Sequence, residues 1–179
     1  GYGWEVGETT FSWSRLIERK DREIDRLNNV YLGLLENSGV KLFPVHGKML
    51  NSHQVQLGEA IVSAEKILIA TGARPWKPEI PGVEHSITSD EAFHLESLPE
   101  SVAVIGGGFI ACEFASIFNG MGSRVTQIYR GEQILRGFDH DVQHTLAAEM
   151  QKKGIDIRLH LNVIELIRQP DGLITLKLD

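Results

Sequence analysis

The spacing of apolar positions along the chain changes several times, and each change marks an element. Across residues 11–37, Leu16, Ile17, Ile24, Leu27, Tyr31, Leu34 and Leu35 recur at helical spacing, with Ser12 or Ser14 placed to cap and Gly39 to stop. This predicts one long amphipathic helix. Short alternating runs follow, "VKLFPV", "KML", "QVQL" and "AIVSA", separated by "HG", "NSH" and "GE". They predict a small antiparallel meander. "KILIATG" then reads as a buried strand running into a glycine. In the next stretch, "ARPWKPEIPGVEHS", Pro75, Pro78 and Pro81 bar both a helix interior and a central strand, so it is a linker.

Beyond the linker the pattern becomes regular. "SDEAFHLESLP" predicts a short capped helix, and a strand at 102–105, a helix at 109–119 and a strand at 124–129 predict a βαβ unit. A helix at about 141–153 ends at Gly154, "IDIRLHL" supplies a third strand, and "NVIELIRQPDGLITLKL" predicts a hairpin turning at Pro170, Asp171 and Gly172. The fold expected is α/β: a Rossmann-like dinucleotide-binding domain over residues 89–179, preceded in residues 1–88 by the long helix, the meander and the linker. The boundary is expected near residue 88. Because the chain starts at Gly1 without methionine and stops at Asp179 in a strand-like run, it reads as a fragment, with the second domain incomplete at its C-terminus.

Composition narrows the function classes. At 42% hydrophobic and 23% charged residues the chain can bury a core, and 179 residues suit one domain or two small ones. The net charge of −6 argues against non-specific nucleic-acid binding, since the densest basic run, "ERKDRE", is interleaved with acids. The most apolar run, 102–118, is glycine-rich and carries Glu113, which makes it a poor membrane span. No targeting signal is read. The single cysteine, Cys112, excludes an internal disulfide and fits a reducing compartment, expected to be the cytoplasm.

The chemistry concentrates in "VAVIGGGFIACEF" and "IYRGEQILRGFD". Gly106, Gly108 and Ala111 form a GxGxxA pattern between a strand and a helix. The first glycine allows the tight turn, the second lets a pyrophosphate approach bare backbone, and the small third residue lets helix and strand pack closely. Free N–H groups at the helix start hold the anion. In such a unit the second strand usually ends in an acid that accepts from both ribose hydroxyls. Here that place holds Tyr129, followed by Arg130, with Arg136 a short loop away. A carboxylate would repel a ribose 2′-phosphate, whereas guanidinium forks present paired donors to it. At roughly 1.5 to 3 kcal/mol for each charge-assisted hydrogen bond, two arginines favour NADPH over NADH by orders of magnitude.

Other residues are read as structural. Cys112 has no partner cysteine and is expected as a small buried hydrophobe. His140 and His144 have metal-pair spacing on a helix, but no third soft ligand clusters with them, so no metal is expected. Trp4, Trp13 and Trp76 are expected to anchor packing or loops.

Taken together, "GGGFIACEFASIFNGMGSRVTQIYRGEQILRGFDHD", "ILIATGARPWKPEIPGVEHSITSDEAF" and "FSWSRLIERKDREIDRLNNVY" resemble the flavin-dependent disulfide reductases: their NADPH domain, the crossover into it, and a long helix of their flavin domain. The resemblance covers nearly the whole chain, yet less than half of a complete family member. It implies that hydride passes from NADPH to FAD, and that reduced flavin reduces a redox-active cysteine pair outside this chain, which opens a disulfide substrate. It implies glutathione disulfide as that substrate and a homodimer as the full-length assembly. Arg130 and Arg136 match the 2′-phosphate ligands, and Gly106, Gly108 and Ala111 the pyrophosphate turn. Phe109 matches an aromatic gate over the flavin that is usually tyrosine, so the ring is kept and the phenol lost. Glu113 matches a glutamate that pairs with a flavin-side lysine and contacts the nicotinamide amide; read alone, it is an acid favoured by the helix dipole. Thr71 and Gly72 match the strand end that approaches FAD. Tyr31 matches a tyrosine of the substrate cleft, while its spacing alone reads as a packed helix face. Two other readings stay open: a member acting on another disulfide, such as trypanothione, and a non-catalytic nucleotide-binding or redox-sensing module.

Overall fold

The computed structural model describes Gly3 and residues 5–179, so Trp4 lies outside the described residues. The chain divides into two compact units, Glu18–Arg74 and a larger one of Pro75–Asp179 with the segment up to Ile17.

Helix α1 (Trp13–Asn37) starts in the larger unit and runs through the smaller. Ser12 caps it, its Oγ accepting from the Arg15 N–H at 3.4 Å. Gly39, at φ +69, ends it, and the Val40 N–H returns to the Leu35 carbonyl at 3.0 Å. Ion pairs Arg22–Glu18 and Arg26–Glu23 lie on its surface. None of its residues is fully buried. The meander follows as β1 (Gly47–Asn51), β2 (Gln54–Leu57) and β3 (Ala60–Ser63), antiparallel in that order.

Two expected strands of this unit do not form. In "VKLFPV" Pro44 lacks an N–H, and the Val45 N–H turns back to the Phe43 carbonyl at 2.8 Å, which folds the backbone out of a ladder. "KILIATG" pairs with no strand among the described residues, and Leu68 is 89% exposed. A buried strand needs neighbours for its backbone groups, and an apolar run alone does not supply them.

In the larger unit, β4 (Ser101–Ile105), α3 (Phe109–Gly120), β5 (Arg124–Ile128), α4 (His140–Lys152) and β6 (Asp156–Arg158) follow α2 (Ser89–Ala92). The sheet is parallel in the order β4-β5-β6, with Ile105 opposite Ile128 and Ile128 opposite Arg158. This is the α/β, Rossmann-like pattern the sequence predicts. Its core packs Ala115 and Phe118 of α3 with Val125, Ile134, Met150 and Ile155. Trp13 joins it, stacked on Phe118 at 6.2 Å with Nε1–H donating to the Leu95 carbonyl. Trp76 anchors nothing: it sits on the proline-rich stretch, outside both apolar clusters, and is 79% exposed.

The hairpin β7 (Val163–Arg168) and β8 (Ile174–Leu178) turns at Gly172, φ +87. The linker docks on it. Pro81 accepts from the Leu166 N–H at 2.9 Å, and Ile80 and Val83 pack with Ile128, Val163 and Leu166.

Thr88 starts α2 with a capping box, its N–H and Oγ1–H both donating to Glu91 Oε2 at 2.6 Å. These hydrogen bonds, the side-chain one first, lower the Glu91 carboxyl from its ordinary 4.5 to about 2. A depressed folded-state pKa contributes stability that is complete above the unfolded value and is lost as pH falls through the folded one. Glu91→Gln is therefore expected to lower Tm at neutral pH. The gap to wild type should close between 4.5 and about 2, which thermal melts across that window measure.

Candidate nucleotide-binding site

Strand β4 delivers the chain into the glycine turn. Gly106 adopts φ +140, where a side chain is strained, and its N–H donates to the Ile128 carbonyl at 2.9 Å, tying the turn to the end of β5. A methyl there would stand 3.5 Å from the Ala111 Cβ, an ordinary contact, so conformation rather than space requires this glycine. At Gly108 the reverse holds. Its φ of −78 suits any residue, but nothing lies within 4 Å of where its Cβ would be. It caps the 12-residue α3 with no side-chain hydrogen bond, which leaves the first-turn N–H groups and the positive end of the helix dipole to that open space. Bare backbone, room and uncapped donors fit a diphosphate.

The loop carrying the two arginines is pinned at several points. On one side of Arg130, Tyr129 pairs with β6 and beyond, its N–H donating to Arg158 and its carbonyl accepting from Leu161. On the other, the Gly131 carbonyl accepts from the His160 N–H at 3.2 Å. Next to Arg136, Leu135 is buried with φ +57, and its N–H donates to the Gly107 carbonyl at 2.6 Å. Gln143 of α4, also buried, donates to the Leu135 and Phe138 carbonyls at 3.0 and 2.9 Å. The Arg130 and Arg136 side chains are exposed, with no hydrogen-bond or ion-pair partner among the described residues. Two cations thus stand on a fixed backbone tied to the glycine turn.

Phe109 begins α3, 55% exposed, and Glu113 follows one turn later. Both line a cleft of about 460 Å³ with Ile117, Leu135 and Phe138. The structure therefore brings the glycine turn, both arginines, Phe109 and Glu113 into one region of the larger unit. Thr71, Gly72 and Tyr31 belong to the smaller unit. Thr71 and Gly72 lie in an exposed irregular segment, with Gly72 at φ +72 and open space around it. Tyr31 is 63% exposed, so it does not pack as its helical spacing alone suggests.

Three contributors were not legible in the sequence. Gly107 and Gly131 both lie against the Tyr129 ring. Gln127, fully buried under the turn, donates to the Gly106 carbonyl at 3.0 Å and to Cys112 Sγ at 3.5 Å, leaving its Oε1 without a partner. A glutamine inside a strand that its flanking Val125 and Ile128 mark as buried is the signal that points to it. Cys112 is buried, which pushes its thiol pKa up and keeps it protonated. Among the described residues no three His, Cys, Asp or Glu side chains group as metal ligands; His144 Nδ1 instead lies 2.7 Å from the His140 carbonyl. No helix among those residues is long and apolar enough to cross a membrane.

Residues 5–179 match the pyridine nucleotide-disulphide oxidoreductase family, and the chain belongs to it. Glutathione reductase of Burkholderia cepacia is 47% identical over 173 residues, which cover 97% of this chain and 38% of that protein. Trypanothione reductase of Trypanosoma congolense is 37% identical over 187 residues, 96% of this chain and 38% of its own length. Among solved structures, the HOCl-induced flavoprotein disulfide reductase RclA from Escherichia coli superposes with a TM-score of 0.84 at 27% identity, covering 93% of this chain and 39% of that one. The chain thus spans 38% of the length of these curated relatives.

Proposed function

We propose that this chain is the central part of an NADPH- and FAD-dependent reductase of glutathione disulfide. When bound, the two cofactors supply the hydride donor and acceptor, and the residues of this chain bind, orient and shield them. Gly106, Gly108, Ala111 and the start of α3 receive the pyrophosphate. Arg130 and Arg136 grip the 2′-phosphate. Phe109 covers the flavin face until the nicotinamide arrives, and Glu113 holds the nicotinamide amide and a flavin-side lysine. Thr71 and Gly72 contact FAD, and Tyr31 lines the substrate cleft. In this reading residues 1–88 are the C-terminal part of a first FAD-binding segment with the crossover linker, and residues 89–179 belong to the NADPH domain, of a cytoplasmic homodimer. The redox-active cysteine pair lies outside this chain, whose one cysteine, Cys112, is buried.

The observation that carries the reading is the pair of arginines, exposed and without a partner among the described residues, on a pinned loop beside an uncapped, open helix start. The higher identity to the glutathione enzyme than to the trypanothione enzyme supports the choice of substrate. The test is to purify the full-length protein and follow NADPH oxidation with glutathione disulfide, trypanothione disulfide and no disulfide. A yellow protein turning over with glutathione disulfide is expected. A preference for trypanothione would move the substrate assignment, and a colourless protein inert to every disulfide would end the enzyme reading.

A further inference from the structure

Tyr129 stands where a nucleotide-binding strand usually ends in an acid, and its ring lies against two glycines of different segments. A Cβ on Gly107 would fall 2.5 Å from the Tyr129 Cγ and Cδ1, and one on Gly131 would fall 2.5 Å from Cε1. Neither glycine has a positive φ. With no positive φ to call for glycine, the ring is the nearest obstacle a methyl would meet at both places. The backbone that carries the ring is held at both polar groups, its N–H donating to Arg158 and its carbonyl accepting from Leu161. Gly107 belongs to the pyrophosphate turn and accepts the Leu135 N–H next to Arg136, and Gly131 directly follows Arg130. One ring therefore lies against both the glycine turn and the arginine loop.

We propose that Tyr129 is a positioning residue whose ring, seated on Gly107 and Gly131, sets the arginine loop against the glycine turn and thereby the preference for a 2′-phosphorylated dinucleotide. This rests on the reading of the turn and loop as the NADPH site. The ring needs no contact with the ligand. It acts by fixing where the two guanidinium groups stand relative to the helix start, and misplacement by about 1 Å is enough to lose much of a bidentate contact.

The test is a compensation cycle in the full-length protein, comparing wild type with Gly107→Ala, Tyr129→Val and the double variant. Each is assayed with NADPH and NADH, and for inhibition by adenosine 2′,5′-bisphosphate against ADP. Gly107→Ala is expected to weaken the bisphosphate about tenfold and to shrink the NADPH:NADH ratio of kcat/KM by a similar factor. Tyr129→Val should shrink that ratio severalfold with little change in ADP inhibition. The double variant should match Tyr129→Val alone, because the added methyl no longer meets a ring. A double variant as impaired as the sum of the singles, or a ratio unmoved by Tyr129→Val, would overturn the proposal. If Gly107→Ala fails to fold, Gly131→Ala in the Tyr129→Val background gives the same reading: it should be silent there and harmful in wild type. A wild-type protein that ignores the 2′-phosphate altogether would instead show that the underlying site assignment is wrong.

Discussion

Replacing both guanidinium groups, Arg130→Ala with Arg136→Ala, is expected to lower kcat/KM with NADPH by about 10²- to 10⁴-fold while changing it with NADH by less than about threefold. The magnitude follows from two charge-assisted contacts to a dianion at roughly 1.5 to 3 kcal/mol each, and each 1.4 kcal/mol is a factor of ten. Single variants should each give part of the loss and combine non-additively, since in the proposed site both arginines would face one phosphate. Neither arginine has a partner among the described residues and both are exposed, so removing them strands no buried charge and exposes no core. The fold should therefore be unchanged, which separates lost recognition from lost structure. Salt provides a second check: the wild-type KM for NADPH should rise with ionic strength more steeply than that of the double variant. Steady-state kinetics with both coenzymes measure all of this. Equal losses with NADPH and NADH would mean that the arginines do not read the 2′-phosphate.

Much of the fold was legible because its boundaries are set by local chemistry. Gly39, Gly154 and Gly172, all at positive φ, stop a helix, stop a helix and turn a hairpin at the places their neighbours predict. The βαβ unit was legible for the same reason, since a strand, a glycine turn and an apolar helix follow one another within a short span. "KILIATG" was misread because burial of a strand is decided by what lies beside it, and periodicity carries no information about neighbours. In the site, Gly106 and Gly108 could be read from spacing, but the middle glycine could not. Its requirement comes from the ring of Tyr129, a whole helix and strand later in the chain. The left-handed Leu135 and the Gln143 clamp on its carbonyl were equally hidden. Both depend on α4 returning across the arginine loop, a contact that only the folded chain brings about.

Gly82→Ala should be the most destabilising single methyl in the larger unit. Gly82 sits at φ +79, so alanine incurs about 1–2 kcal/mol of backbone strain before any contact is considered. The methyl would also fall 1.8 Å from the Leu166 carbonyl oxygen and 2.8 Å from its carbon. Those are backbone atoms of β7 and cannot rotate aside as a side-chain end would. Relief requires the linker to lift from the hairpin, which breaks the Leu166 N–H bond to Pro81 and exposes Ile80 and Val83. The combined loss is on the order of 3–5 kcal/mol. Gly172→Ala supplies the control, since it has a similar φ of +87 but nothing within 4 Å of the new methyl. It should show the conformational part alone. Thermal unfolding is expected to place the Gly82 variant on the order of 5–15 °C below the Gly172 variant. Hydrogen exchange should show β7 amides losing protection first, beginning with Leu166. Equal melting shifts for the two variants would mean that the linker is not held against the hairpin by this contact.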